Sequence, residues 1–395
     1  MAEPGHRSSR AGEDLGIDSA ELVRWTQAFV RHPSQQTARF EADPGVLSFI
    51  AGTVAPLVTK LGLPWRSDRM GNLIVEVGPA SDERSLMLMG YAMTHPANRM
   101  QAPFAGEIIA TPDGPAVRGR GVSEQKGALA AAVMAVAAAA RGGGLRGRLV
   151  FAVSTAGETG RHDAATAIVE ALPAVPRLAV VVLGTSGRLA LANKGRLDVV
   201  VTVRGRATHS STPWAGTDAI AGARRVLDRV LAIDLSARSH PGLGAATITA
   251  TSIRSWPEAT HTLQDEVRVV FDRRLLPGEE PHAAFAAVTA AASIGAPWTV
   301  TAESGPFMYP AEIASDGALA RAVAAGCRRA GVPAAGTFFS HGALDAGYLG
   351  HVGSEAAMWG PGDSGLWHSD DERVTVADLV AGAAAYRGLI EACLG

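Results

Sequence analysis

The chain of 395 residues holds only two cysteines, Cys327 and Cys393. That is too few for a disulfide framework or a cysteine-based zinc site, and a reducing cytoplasmic setting is the simplest expectation. It carries almost no net charge, −2 in all, so no electrostatic footprint for nucleic acid or an anionic membrane is visible. Long apolar runs are missing as well. The longest, residues 128–140 (ALAAAVMAVAAAA), is too short and too rich in alanine to span a bilayer and reads as a helix packed closely against a sheet. The polar start, MAEPGHRSSRAGEDLG, has no apolar core and is not expected to be a signal peptide; residues 1–16 are expected to be a disordered tail.

What is present suits two folded domains. Apolar residues make up 47 % and charged residues 19 % of the chain, a balance typical of globular proteins at a length beyond a single core. Helical periodicity covers residues 21–31 and 43–61. Strands are predicted at 72–77, 86–90, 149–154 and 178–183, with helices at 128–140 and 163–172 between them. This alternation argues for a mostly parallel α/β sheet covered by helices on both faces. Near Arg196 the rhythm changes to strand 197–203, helix 218–235, strands 247–253 and 266–272 and helix 280–294. That order predicts a smaller α+β domain with a four-stranded antiparallel sheet, at 196–305, inserted into a larger one at 17–195 plus 306–395. The α/β pattern returns with helix 316–330, strand 355–359 and helix 376–392.

Ligands bind at the carboxyl ends of strands in such sheets. Segments with chemistry fall there: Gly90-Tyr91-Ala92-Met93-Thr94-His95-Pro96, Gly121-Val122-Ser123-Glu124-Gln125-Lys126-Gly127, Ala156-Gly157-Glu158-Thr159-Gly160, Gly184-Thr185-Ser186-Gly187 and Trp367-His368. With GRATHSSTP (205–213), FDRRLLPGE (271–279) and GPG…H…DERV near the end, their order and spacing resemble the dizinc exopeptidase family of acetylornithine deacetylase, succinyl-diaminopimelate desuccinylase, aminoacylase and the glutamate carboxypeptidases. The resemblance runs from about residue 18 onward. It implies the two-domain architecture just described, with the inserted domain serving as dimerisation or lid domain of a homodimer.

Position by position, the resemblance exposes a degenerate site. Where the family has a histidine and an aspartate after the strand, Tyr91 and Met93 stand. The bridging aspartate is Glu124. The general-base glutamate is replaced by Gly157, and Glu158 keeps the next ligand place. Thr185 occupies the remaining carboxylate position, and His368 matches the last ligand. The resemblance therefore implies one divalent ion, zinc by preference, held by Glu124, Glu158 and His368 with a position open for water. Simpler roles compete: Glu124 as a cap on the alanine helix, His368 as a hydrogen-bonded loop residue. With the base lost, His162, His95, His341 and Glu124 itself are the candidate proton carriers.

Substrate-handling positions are better kept. His209 matches the histidine that stabilises the oxyanion from a neighbouring subunit, and Arg274 the arginine that grips a substrate carboxylate. A salt bridge to Asp272 or Glu279 is the competing role for Arg274, and His261 stands where the family has asparagine. The expectation is a metal-dependent amidohydrolase acting on a small N-acyl amino acid or dipeptide-like compound with a carboxylate. The alternatives are a non-hydrolytic enzyme on the same scaffold, such as a cyclase, lyase or isomerase, and a catalytically silent partner.

Overall fold

Ser85–Tyr91, Arg148–Ser154 and Leu178–Val182 are buried along their whole length, as strands covered on both faces must be. The computed structural model, which describes residues 16–157 and 159–395, sets them in a six-stranded sheet. Its order is Trp65–Ser67, Leu73–Val77, Arg148–Ser154, Ser85–Tyr91, Leu178–Val182 and Glu355–Trp359. The last four run parallel and the first two join antiparallel at one edge. Mostly parallel strands between helices are what the sequence pattern predicts. The tail expected at 1–16 lies, but for Gly16, outside the described residues, as does Glu158.

The chain groups into two units. One runs up to Leu191 and takes up again over Glu312–Phe338 and Tyr348–Gly395; the other comprises Ala192–Ala311 and Phe339–Gly347. In the first, the alanine-rich helix Gly127–Gly142 is buried from Gly127 to Ala139 and packs beside the C-terminal helix Val376–Leu394. Small side chains let such helices approach closely. Among the described residues no helix is long and apolar enough to cross a membrane. The helical run expected over 43–61 is present as Pro44–Phe49, a widened π-type turn Ile50–Val54, and Ala55–Lys60. Pro56 lacks the N–H that a regular turn would use, and a widened turn accommodates that loss.

In the second unit Thr247–Trp256, Glu266–Leu275, Gly195–Arg204 and Thr299–Met308 form a four-stranded antiparallel sheet in that order. Val199, Val201 and Val203 alternate inward against helices Ala219–Leu231 and Pro281–Ala292. A third sheet, not anticipated from sequence, pairs Glu107–Thr111 with Gly114–Arg118 and Arg118 with Arg373. It brings the DERV segment beside the loop that carries Glu124.

Candidate active site

The loop Gly119–Lys126 leaves the third sheet and enters the alanine-rich helix through a wide turn over Val122–Lys126. Three of its backbone N–H groups have no partner within the turn and donate to one carboxylate: Gly121 at 2.8 Å, Ser123 at 3.0 Å and Glu124 at 3.1 Å from the oxygens of Glu372. Arg120 completes the shell with an Nη1–Oε2 ion pair of 2.9 Å, both side chains fully buried. Burial pushes the Glu372 carboxyl above its ordinary value, opposed by the N–H groups and by Arg120. Glu372 is thus the anchor of the loop, an acid at a helix N-terminus inside the protein. Sequence reading named DERV but gave Glu372 no role; it stands in the charged run Asp370-Asp371-Glu372-Arg373, where nothing in the sequence sets it apart from its neighbours. Two residues beyond Glu124, Lys126 is buried with its ammonium on His32 O at 2.7 Å and over the Phe49 ring.

Glu124 is held in this frame with its carboxylate directed at His368, Oε2 to Nε2 at 3.2 Å. His368 sits at φ 59°, a left-handed backbone that a non-glycine residue adopts at a cost and that is concentrated at functional sites. His95, from the loop after Ser85–Tyr91, stacks on His368 with ring centroids 3.9 Å apart and planes 16° apart. Its Nδ1 lies 3.0 Å from Pro96 O. The structure therefore brings together Glu124, His368 and His95. It packs His162 against Tyr348, centroids 5.4 Å apart.

The positions that lack ligands are built into packing. Tyr91 and Met93 are buried. Thr185 is buried too, and its hydroxyl accepts from Gly360 N at 3.1 Å. A side chain at Gly157 would place its first carbon 2.3 Å from Met93 O, so a glutamate does not fit there without moving the backbone. Among the described residues no group of three or more His, Cys, Asp or Glu forms a metal site. Two donors do converge, and ligands about 2.0–2.1 Å from one tetrahedral ion lie roughly 3.3 Å apart. The 3.2 Å between Glu124 and His368 fits a single ion and equally a direct hydrogen bond. The third ligand implied from sequence, Glu158, lies outside the described residues.

In the second unit His209 and His261 neighbour each other, ring centroids 6.0 Å apart, and Ser210 N donates to His261 O. Ser211 N donates to His209 Nδ1 at 3.2 Å, which makes Nδ1 the acceptor and leaves the proton on Nε2. Arg274 places its fork on Asp272, at 2.8 and 3.1 Å. Asp272 also meets Arg196 at 3.3 Å, and Arg196 bonds Asp198 through two contacts of 2.9 Å. Glu279 pairs with Arg273 and Arg238. Burial, with Arg274 and Arg273 nearby, holds the Lys194 ammonium below its usual value. Cations thus outnumber acids here: Lys194, Arg196, Arg238, Arg273 and Arg274 against Asp198, Asp272 and Glu279.

Comparison with known proteins places these segments. The family model "Peptidase family M20/M25/M40" matches residues 94–392. A protein of Pyrobaculum aerophilum named as a LysW-lysine/LysW-ornithine hydrolase is 26 % identical over 291 residues, 72 % of this chain and 78 % of its own length. Among solved structures, an M20 family metallo-carboxypeptidase from Sulfolobus solfataricus superposes with a TM-score of 0.75 at 14 % identity, covering 94 % of this chain and 98 % of that one. A dinuclear metal-binding peptidase of the M20 family from Bacillus subtilis gives 0.67 at 13 % identity, with 94 % and 97 % covered.

Proposed function

Because the chain belongs to peptidase family M20/M25/M40, we propose that it is an amide-bond hydrolase acting on a small N-acyl amino acid or dipeptide-like substrate that carries a carboxylate. The observation that carries the reading is the convergence of Glu124 and His368, 3.2 Å apart, at the carboxyl end of the parallel sheet. One divalent ion, zinc by preference for a carboxylate and imidazole donor set, would be held by these two with Glu158 as third ligand, and would supply a Lewis acid for the scissile carbonyl. The relative named as a hydrolase of lysine and ornithine conjugates supports an amide joined to an amino acid.

The chain's own residues supply the rest. His209, with its proton on Nε2, donates to the oxyanion, and the dimer formed through the inserted domain delivers it to a neighbouring subunit's site. Arg274 and the surplus of cations around it orient the substrate carboxylate. His95, stacked on His368, is the candidate proton carrier best placed beside the ligands. Elemental analysis of purified protein tests the ion: about one zinc per chain is expected, falling to near zero in Glu124→Ala and His368→Ala. Two tightly held ions, or none in the wild type, would overturn this reading.

A second reading has its own observation. Gly157 has no space for a carboxylate base, and general bases contribute about 10²–10⁴-fold. A non-hydrolytic enzyme on the same scaffold, or a silent partner, accounts for that loss. Release of amino acid from a panel of N-acyl amino acids and dipeptides separates the readings: loss of any release in Glu158→Ala supports hydrolysis, and no release by the wild type favours the second.

A further inference from the structure

The first unit has a cavity of about 400 Å³ where the C-terminal helix, the helix Ala318–Arg329 and the turn after Glu355–Trp359 meet. Its walls are mostly carbon. Trp359 spends its indole N–H on Gly187 O at 2.8 Å and is braced edge-on by Tyr386, centroids 4.8 Å apart at 90°, so the ring is fixed as a packed, nearly fully buried floor of the cavity. Pro361, Val332 and Pro333 complete the lining, with the buried Cys327 thiol kept protonated by its surroundings. The polar side chains at the exposed rim are two carboxylates, Asp363 and Asp378, and the Ser186 hydroxyl, with no lysine, arginine or histidine in the lining. Asp363 Oδ1 accepts from Gly365 N at 2.8 Å and Ser186 Oγ at 3.3 Å. The Asp378 carboxylate makes no hydrogen bond or ion pair among the described residues.

We propose that this cavity is a binding site for a small organic cation with a flat apolar body, an aromatic amine of about tryptamine size, distinct from the Glu124–His368 site. The volume lies within the roughly 300–1,000 Å³ of small-molecule sites. An aromatic body buries against Val332, Pro333 and Ala381 over the Trp359 floor, while the ammonium stays at the wet rim against Asp378 and Asp363. Two carboxylates repel an anion of the same shape, and a neutral analogue loses the charge pair. None of the lining residues takes part in the Glu124 site, yet one wall reaches it. Asp363 N donates to Ser123 Oγ at 2.8 Å, and a side chain at Gly362, at φ 108°, would stand 2.1 Å from Ser123 O. The wall of the cavity and the residue before Glu124 are one packed unit.

Calorimetric titration of the full chain at pH 7 with tryptamine, the neutral tryptophol and the anionic indole-3-propionate tests the site. Saturable one-to-one binding of tryptamine is expected, about fivefold weaker for tryptophol, the scale of an exposed charge pair, and no binding of indole-3-propionate. Asp378→Asn weakens tryptamine toward the tryptophol level, with Asp363 keeping part of the difference. Ala381→Trp, on a half-buried helix position lining the cavity, abolishes binding of both. Absence of saturable tryptamine binding, equal binding of amine and alcohol, or binding that survives Ala381→Trp in protein with an unchanged thermal transition would overturn the proposal.

Discussion

Replacing Glu372 by glutamine removes one charge and almost no volume, and it separates anchoring from packing. In the wild type both carboxylate oxygens receive donors: Oε2 from Arg120 and Gly121 N, Oε1 from Ser123 N and Glu124 N. A glutamine amide accepts at one of these places only. At the other its own NH₂ confronts two donors, and the fully buried Arg120 is left without a compensating charge. Breaking a buried ion pair in this way costs about 3–5 kcal/mol, and hydrogen bonds to charged groups are worth about 1.5–3 kcal/mol each, so the lower figure is a floor for loss of both. The assay is urea denaturation followed by a probe in the first unit. Glu372→Gln and Arg120→Met should each lose about 3 kcal/mol or more, while the double variant Arg120→Met/Glu372→Gln should lose less than the sum by more than about 1 kcal/mol, as coupled partners do. A cost under about 1 kcal/mol for Glu372→Gln would refute the reasoning, since it would mean the loop does not depend on an ionised Glu372.

Other outcomes follow from the same geometry. Gly157→Ala should cost about 1–3 kcal/mol in the same denaturation assay by overpacking against Met93 O, and Gly157→Glu at least as much; a neutral change would show that this loop yields freely. Asn72 binds Thr155 N at 2.7 Å and Ala164 O at 3.1 Å from inside the protein, so Asn72→Ala should cost about 1–3 kcal/mol for the donors and acceptors it strands. Burial pushes the Cys393 thiol up to about 12 and raises Cys327 as well. Folding thus favours the protonated thiols, a contribution fully present below pH 9 and lost as pH rises through the folded values. Native protein at pH 8.5 should react with a thiol reagent far more slowly than protein in urea; equal rates would sink the assignment.

The covered strands were legible because their apolar runs are unbroken. Residues 149–154, 178–183 and 355–359 lie within one residue of Arg148–Ser154, Leu178–Val182 and Glu355–Trp359. Edge and rim elements were not. Glu107–Thr111 and Arg373–Thr375 are only five and three residues long, too short for alternation to mark them despite their β-branched residues, and the third sheet they build went unseen. The same limit hid the role of Glu372, whose partners are backbone N–H groups that no side-chain pattern advertises. The pairing of Arg274 with Asp272 was open to sequence as one of two salt bridges; register with Arg196 and Asp198 on the next strand favours it over Glu279. The stacking of His95 on His368 depended on loop conformation, which local sequence does not encode.

The arginine–aspartate ladder of the second unit has a consequence for recognition. Arg274 and Arg196 are already held in place by Asp272 and Asp198, and a long side chain so fixed gives up as much as about 1.5–2 kcal/mol of conformational freedom during folding. If Arg274 grips a substrate carboxylate as proposed, that carboxylate would meet guanidinium groups that need not be ordered again. On that proposal the internal aspartates would act as placeholders, with selectivity set by how well a guest competes with a resident anion rather than by charge alone.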